Sequence, residues 1–266
     1  MSESLLTLTI LGSGTSTGVP VIGCSCPVCL STLPENSRTR CSALVSWGGK
    51  NVLLDTSTDL RLQMLREGVC AIDAVLYTHT HADHVHGIDD LRAFNLTGGE
   101  AIPIFGSRET IAVIRRNFGY IFEADVEPGY RPRLVTRDVA APFELFGETV
   151  RPLPLRHGGT WCLGYRIGPF AYLTDCSAIP PETERSLQGL EVLVIDALRF
   201  RPHTTHFNIP QALEVAGRLG ARRTLLTHLS HEVEHRRDSA ILPAGVEFAY
   251  DGQQLALNLG ASAATP

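Results

Sequence analysis

The sequence predicts an α/β layered sandwich, because short apolar segments that read as strands alternate with helix-like stretches such as 107–117 and 210–220. The chain has 266 residues, 44% of them hydrophobic, which is enough for one large core without a linker. We see no repeat or low-complexity tract, so we expect a single domain over residues 1–266. The strand-like segments are 5–11, 43–47, 51–55, 74–78, 171–175, 191–196 and 223–227.

Composition favours a soluble protein that acts on a small anionic molecule. No apolar run approaches the roughly 18 residues that a membrane span needs. The first residues do not resemble a signal peptide, so we expect a cytoplasmic protein. The net charge of −5 argues against long nucleic acid as a partner, since binding it usually requires a basic surface.

The densest functional motif is T-H-T-H-A-D-H, directly after the apolar run 72–77. It brings His79, His81, Asp83 and His84 to the end of a predicted strand. There His79 and His81 can face one metal ion, while Asp83 and His84 face a second. Imidazole binds zinc, iron or manganese, and a carboxylate suits a harder cation. The alternative, a polar loop with hydrogen-bonded histidines, is disfavoured because it would desolvate these groups without compensation.

This spacing, His-x-His-x-Asp-His after an apolar strand, resembles that of the metallo-β-lactamase superfamily. The resemblance implies a four-layer αβ/βα sandwich with two divalent metal ions. It implies that His157, in L-P-L-R-H-G, is the third histidine of the first metal. It also implies that Asp175, ending A-Y-L-T-D, bridges both metals and that His228, in T-L-L-T-H, completes the second.

Asp55 ends the strand-like segment N-V-L-L-D. The same resemblance implies that its carboxylate braces the histidine loop and orients an imidazole. The alternative is that Asp55 caps the following helix. We expect Asp59 to be the capping residue instead.

A second metal motif, G-C-S-C-P-V-C, offers three thiolates from Cys24, Cys26 and Cys29 to a closed structural zinc site. The fourth ligand is His231 or, as the competing candidate, Cys41. Disulfides are disfavoured because the seven cysteines leave one thiol over. The remaining cysteines are expected to be buried thiols: Cys70, Cys162 and Cys176.

Together with G-S-G-T-S-T-G-V-P and Y-L-T-D, these motifs make the chain similar to the bacterial PhnP group of cyclic phosphodiesterases. That resemblance implies His231 as the fourth ligand of the structural zinc. It also implies a small cyclic phosphate ester as substrate, for example 5-phosphoribosyl 1,2-cyclic phosphate, and a homodimer. The group implicates a histidine between the bridging aspartate and the last metal ligand as proton donor. His203 and His206 are both candidates, and we favour His206 because H-F-N-I-P-Q-A-L looks like a loop entering a helix.

The expected mechanism uses zinc or manganese ions to activate water. Asp83 would orient that water, and the chosen histidine would protonate the departing oxygen as a general acid. Two alternatives remain on the same fold: a tRNA 3′-processing endoribonuclease, and a thioester or lactone hydrolase. A non-catalytic zinc-stabilised binding protein is disfavoured, because a residue suited to each ligand position is present.

Two further segments carry open alternatives. The arginines around 120–137 are either part of a lid that grips phosphate or part of a solvated surface loop. The polar residues of the glycine-rich segment either cradle phosphate or turn the chain. The arginines are Arg115, Arg116, Arg131, Arg133 and Arg137, and the polar residues are Ser13, Thr15 and Ser16.

Overall fold

The computed structural model describes residues 5–96, 100–123 and 129–259. In these ranges the chain forms two seven-stranded mixed sheets. The first sheet contains β1 (Leu5–Gly12), β2 (Ser42–Trp47), β3 (Lys50–Leu54), β4 (Ala74–Leu76), β5 (Ile102–Gly106), β6 (Leu134–Asp138) and β14 (Gln254–Asn258). The second contains β7 (Phe143–Leu145), β8 (Glu148–His157), β9 (Thr160–Ile167), β10 (Phe170–Leu173), β11 (Val192–Asp196), β12 (Arg223–Thr227) and β13 (Val246–Phe248).

Seven α-helices are described: α1 (Leu60–Glu67), α2 (Ala82–Val85), α3 (Arg92–Leu96), α4 (Arg108–Asn117), α5 (Pro181–Arg185), α6 (Ile209–Leu219) and α7 (His235–Ser239). Single 3₁₀ turns occupy Pro34–Asn36, Ile88–Leu91 and Gly119–Phe122. None of the helices in the described ranges is both long enough and apolar enough to cross a membrane.

Three apolar clusters make the four layers. One cluster lies between the sheets, where residues such as Leu54 of the first sheet pack with Tyr172 and Val194 of the second. Another fixes α6 to the outer face of the second sheet, and a third fixes α1 and α4 to the outer face of the first. The order helix, sheet, sheet, helix confirms the predicted αβ/βα sandwich.

Half of each sheet is parallel, and this arrangement places the functional residues. β3, β4, β5 and β6 are parallel neighbours in the first sheet, as are β10, β11, β12 and β13 in the second. The carboxyl ends of parallel strands meet at one edge of a sheet, where α/β proteins bind ligands. The polar residues that follow β3, β4, β10, β11 and β12 therefore converge.

The seven strand-like segments of the sequence coincide with β1, β2, β3, β4, β10, β11 and β12, and the strand-like residues before His157 belong to the longer strand β8. This strand contains Pro152 and Pro154, which disfavour a strand interior because proline lacks the ladder-forming N–H. β7 pairs only with residues 148–150 of β8, so both prolines lie where one side of the strand has no ladder partner from β7. Their missing N–H groups therefore cost little there.

α6 begins as the sequence suggested. Asn208 accepts a hydrogen bond from Gln211 N at 2.8 Å, and the Gln211 side chain accepts one from Asn208 N at 3.0 Å. This reciprocal capping box satisfies two N–H groups at the start of the helix. It fixes the point at which the preceding loop, which carries His203 and His206, enters the helix.

Candidate metal centre and active site

Three residues that follow buried strands have left-handed backbone conformations. The φ angles are +62° for Asp55, +52° for Asp175 and +61° for His228. Residues other than glycine rarely adopt this region, and it costs on the order of 1–3 kcal/mol at each position. Each turn redirects a side chain at the carboxyl end of a strand, so local strain is concentrated where the polar residues meet.

The structure brings the expected metal-binding residues together in two sets. Within each set the potential ligand atoms lie within 4.8 Å of one another. Asp175 belongs to both sets, as expected of a bridging carboxylate. The first set is His79, His81, His157 and Asp175, and the second is Asp83, His84, Asp175 and His228.

Hydrogen bonds fix the tautomers of three of these histidines. The Thr78 hydroxyl donates to Asp55 Oδ2 at 2.8 Å, so its oxygen accepts from His79 Nδ1 at 2.9 Å. His84 Nδ1 donates to Asp55 Oδ2 at 2.7 Å, and His157 Nδ1 donates to the Thr205 carbonyl at 2.8 Å. With the proton held on Nδ1, Nε2 of each ring is the atom available to a metal.

Several of the inward atoms are buried without a hydrogen-bond partner. They are His79 Nε2, Asp83 Oδ2, His84 Nε2 and His228 Nε2. Asp175 Oδ1 lies 3.2 Å from Nε2 of His84 and 3.3 Å from Nε2 of His228. Two ligand atoms about 2.1 Å from one tetrahedral metal lie about 3.4 Å apart. The site therefore fits divalent cations, which would satisfy groups that are otherwise costly to bury.

The electrostatics agree with cation binding. Burial lowers the pKa of His228, but the carboxylates of Asp175 and Asp83 outweigh burial and raise it to about 9. The same carboxylates can hold a divalent cation in place of that proton. Burial and the nearby His84 keep the pKa of His79 well below its ordinary value, so this ring is a neutral ligand.

Asp55 occupies the position expected of a brace. Its carboxylate is fully buried and accepts from Thr78 N at 2.8 Å as well as from the Thr78 hydroxyl and His84. Asp59 is the N-cap residue of α1, as expected, but its side chain makes no capping hydrogen bond. Its carboxylate instead accepts from Arg40 N and Nη1, both at 2.9 Å, because the arginine offers a charged partner.

Of the two candidate proton donors, His206 lies closer to the centre. Its ring stacks against His228 with centroids 4.7 Å apart and contacts His157 edge-on at 4.9 Å. It therefore lies between one residue of each ligand set. His203 is exposed and lies one ring further out, 5.2 Å from His206.

Asp196 is a site residue that the sequence analysis did not single out. It is fully buried at the end of β11, and its Oδ2 accepts from His206 Nδ1 at 2.8 Å and from Cys176 N at 2.9 Å. The signal was present in E-V-L-V-I-D, where a carboxylate ends an apolar strand just as Asp55 does. The contact between Asp196 and His206 could be found only once the tertiary structure was known.

The cysteine motif forms a separate cluster. His231 Nδ1 lies 3.3 Å from Cys24 Sγ and 3.5 Å from the sulfurs of both Cys26 and Cys29. Zinc bonds of about 2.3 Å to sulfur and 2.1 Å to nitrogen would separate the ligand atoms by about 3.6 Å, so the cluster fits a tetrahedral zinc ion. The Cys29 N–H lowers the pKa of the Cys26 thiol to about 6, which favours a thiolate.

The competing candidate Cys41 is excluded by its position, and the expectation for Cys70 is wrong. Cys41 is not near the cluster, because it is buried between the sheets, where its Sγ lies 3.2 Å from Tyr172 Oη and 3.4 Å from Thr227 Oγ1. Cys70 was expected to be buried but is exposed after α1. Cys162 and Cys176 are buried as expected.

The glycine-rich segment turns the chain and supports the site. Ser13 is buried, and its N and Oγ both donate to Asp251 Oδ1 at 2.9 Å, so it is not available to a ligand. Thr15 N donates to the Leu229 carbonyl at 3.1 Å, next to His228. Ser16 is exposed.

The arginines lie along one edge of the first sheet. Part of the 120–137 segment, residues 124–128, lies outside the described residues, so the lid alternative stays a prediction. Arg131 Nη1 donates to the Tyr120 carbonyl at 2.8 Å, and the Arg115 guanidinium lies 4.9 Å from the Phe122 ring centroid. Four of the arginines line a cleft of about 490 Å³ beside β6, namely Arg115, Arg131, Arg133 and Arg137.

A family model described as a beta-lactamase superfamily domain matches residues 50–229. The chain belongs to the metallo-β-lactamase superfamily. This confirms the resemblance inferred from the histidine motif, and it makes the protein a metal-dependent hydrolase whose His and Asp sets suit divalent ions.

The comparisons also identify relatives within this superfamily. The solved structure of a diphosphatase from the PhnP family is 44% identical, covers 95% of this chain and 97% of that one, and has a TM-score of 0.89. An octanoyltransferase from Porphyromonas gingivalis is 40% identical over 91% of this chain, which spans only 50% of that protein. A ribonuclease Z from Mycobacterium is 27% identical over 74% of this chain and 80% of its own length.

We predict that Asp175→Asn will lower the active-site metal content below one ion per chain, because both ligand sets lose a carboxylate. Asp83→Asn removes a ligand from the second set alone and should retain the first ion. The measurement is metal analysis by mass spectrometry after dialysis. Equal metal content in the two variants would contradict a bridging role for Asp175.

We predict that Cys26→Ser will lower the zinc content by one ion per chain, the ion of the cysteine cluster, and will lower the thermal unfolding temperature. A closed metal site contributes directly to folding stability. Zinc analysis and thermal denaturation test this. Cys70→Ser is the matched control, since that exposed thiol is outside the cluster and should leave both quantities unchanged. Full zinc content in Cys26→Ser would exclude Cys26 as a ligand.

Proposed function

We propose that the protein is a dinuclear metal-dependent phosphodiesterase that hydrolyses a small cyclic phosphate ester. The observation that carries this proposal is the position of His206, held by Asp196, between two ligand sets that share Asp175. Two cations in such a site activate water and stabilise charge on a phosphoryl group. Phosphodiester cleavage also requires an acid that protonates the departing oxygen, and His206 is placed to do this.

Asp83 has the geometry to orient the attacking water. Its Oδ2 is buried without a hydrogen bond and lies 3.3 Å from His84 Nε2 and 3.6 Å from His228 Nε2. The carboxylate is therefore directed into the second ligand set. One oxygen can bind in that set while the other accepts a hydrogen bond from water.

The partners of the two candidate histidines favour His206 as the general acid. His206 Nδ1 donates to the Asp196 carboxylate, which holds the ring in place and leaves Nε2 as the nitrogen available for proton transfer. His203 has a different partner: its Nδ1 accepts from Thr205 N at 3.3 Å. The hydrogen bonds recorded for His203 within the described residues go to Thr205, and none of them goes to a carboxylate.

The substrate class follows from charge and from the comparisons. A net charge of −5 disfavours a long polyanion, which supports a small ester over RNA. Hydrolysis of a diphosphate bond is the second candidate, because a relative 44% identical over nearly the whole chain is a diphosphatase. Both reactions place a leaving oxygen opposite the attacking water and use the same residues.

We predict metal-dependent opening of 2′,3′-cyclic nucleotides or ribose 1,2-cyclic phosphate 5-phosphate in preference to cleavage of pre-tRNA. The assay compares these substrates and a nucleoside diphosphate with zinc or manganese present, and Asp83→Ala is the blank. Turnover confined to the diphosphate would replace the first candidate by the second. Trimming of pre-tRNA would instead support a nuclease, and silence towards every phosphate substrate would shift weight to a thioester or lactone hydrolase.

We predict that His206→Asn will lower kcat by roughly 10²–10⁴ on an ester with an alkyl leaving group, because no acid protonates the alkoxide. A nitrophenyl ester needs no such proton, so its kcat should change little. Steady-state kinetics on both esters makes the comparison. An equal loss on both would show that His206 acts otherwise than as the general acid.

A further inference from the structure

The loop that carries His203 is anchored although it is exposed. Arg201 donates to the Glu232 carboxylate through Nε at 2.9 Å and through Nη2 at 2.6 Å, and Arg199 Nη1 reaches the same carboxylate at 3.2 Å. Phe207 closes the base of the loop, since its N–H donates to the Cys176 carbonyl at 2.7 Å. A residue on this loop is therefore positioned before a substrate arrives.

Thr205 fixes both the place and the tautomer of His203. The Thr205 carbonyl accepts from His157 Nδ1 at 2.8 Å, so the threonine is attached to the first ligand set. Its N–H and hydroxyl lie 3.3 Å and 3.1 Å from His203 Nδ1. Because a backbone N–H can only donate, Nδ1 is an acceptor and the ring proton lies on Nε2. His203 therefore presents an N–H donor from its other side.

The three rings of His228, His206 and His203 define a direction outward from the metal centre. His228 belongs to a ligand set, His206 stacks on it at 4.7 Å, and His203 follows at 5.2 Å from His206. If His206 protonates the leaving oxygen, the rest of the leaving alcohol extends past His206 towards solvent. His203 is the next side chain along that path.

We propose that His203 is a specificity-determining residue whose Nε2–H donates to a second oxygen on the leaving alcohol. The preferred substrates are then esters of polyhydroxylated alcohols, with an oxygen two carbons from the leaving oxygen, rather than esters of simple alkyl alcohols. This inference rests on the proposed function, because His206 must define where the leaving oxygen lies.

The electrostatic surroundings keep this donor neutral. Partial desolvation lowers the pKa of His203, and the neighbouring His206 and Arg199 lower it further, which outweighs the Asp196 carboxylate that raises it. A neutral N–H group can donate a hydrogen bond to an uncharged hydroxyl or ether oxygen as well as to an anionic oxygen. The position and the neutral state of His203 therefore both suit recognition of the leaving alcohol, whereas His206 is placed for proton transfer.

The test uses two cyclic esters of nearly equal shape. Glycerol 1,2-cyclic phosphate carries a hydroxymethyl group where butane-1,2-diol cyclic phosphate carries an ethyl group. For the wild-type holoenzyme we expect kcat/KM to favour the glycerol ester by about 3- to 10-fold, the range of one neutral hydrogen bond. His203→Leu should reduce the ratio to about one, mainly by lowering the rate on the glycerol ester. His203→Gln keeps an N–H donor and should restore part of the preference.

A second pair of variants tests the anchoring of the loop. Glu232→Gln weakens the contacts to Arg201 and Arg199. It should lower the ratio of kcat/KM for the glycerol ester to kcat/KM for the butanediol ester, although His203 itself is not substituted. Glu191→Gln is the control, because it weakens an exposed pair with Arg222 at 3.3 Å at the amino ends of β11 and β12, away from the site. The ratio in that variant should equal the wild-type value.

The outcomes separate this inference from the proposed function. Turnover of both esters with the same ratio in wild type and His203→Leu would refute the role of His203 and leave the phosphodiesterase intact. Failure of the wild-type enzyme on both esters would refute the proposed function and the inference with it. Nitrogen NMR gives an independent readout, since His203 should show a protonated Nε2 and an unprotonated Nδ1. The opposite tautomer would overturn the inference.

Discussion

The buried carboxylate of Asp175 is the group on which the rest of the site depends. It is 2% exposed, has a strained backbone conformation and lies within ligand distance of both histidine sets. Burying so many ionisable groups in one place is costly unless they are paired. Divalent cations held by the two sets would remove that cost, so the arrangement that suits a hydrolase also makes its centre dependent on metal.

A single short segment couples this centre to the cysteine cluster. His228 and His231 are three residues apart, and they belong to different metal-binding sets. The buried Arg38 holds the turn between them and its continuation, because its Nη1 donates to the carbonyls of Ser230 at 3.1 Å and Val233 at 3.0 Å. The cysteine cluster and the active site therefore share one short stretch of backbone.

The atom that contacts Nδ1 fixes the tautomer of each of these histidines. A carbonyl or hydroxyl oxygen on Nδ1 leaves Nε2 of His157 and His79 available to a metal. A carboxylate accepts from Nδ1 of both His84 and His206, which leaves Nε2 of these rings available as well. A backbone N–H on Nδ1 places the proton of His203 on Nε2 instead. The tautomers are therefore decided by partners that lie on the far side of each ring.

The sequence by itself determined the fold class, the order of the ligand residues and the cysteine motif, because strand hydropathy and ligand spacing are local patterns. It also showed that the residues from His79 to His84 follow a strand end. Only the tertiary structure decided between His231 and Cys41, connected Asp196 with His206, and paired the Asp59 carboxylate with Arg40 instead of with the first N–H groups of α1. Each of these depends on which distant segments the two sheets bring together, and on backbone turns such as that at Asp175, which local residue patterns do not specify.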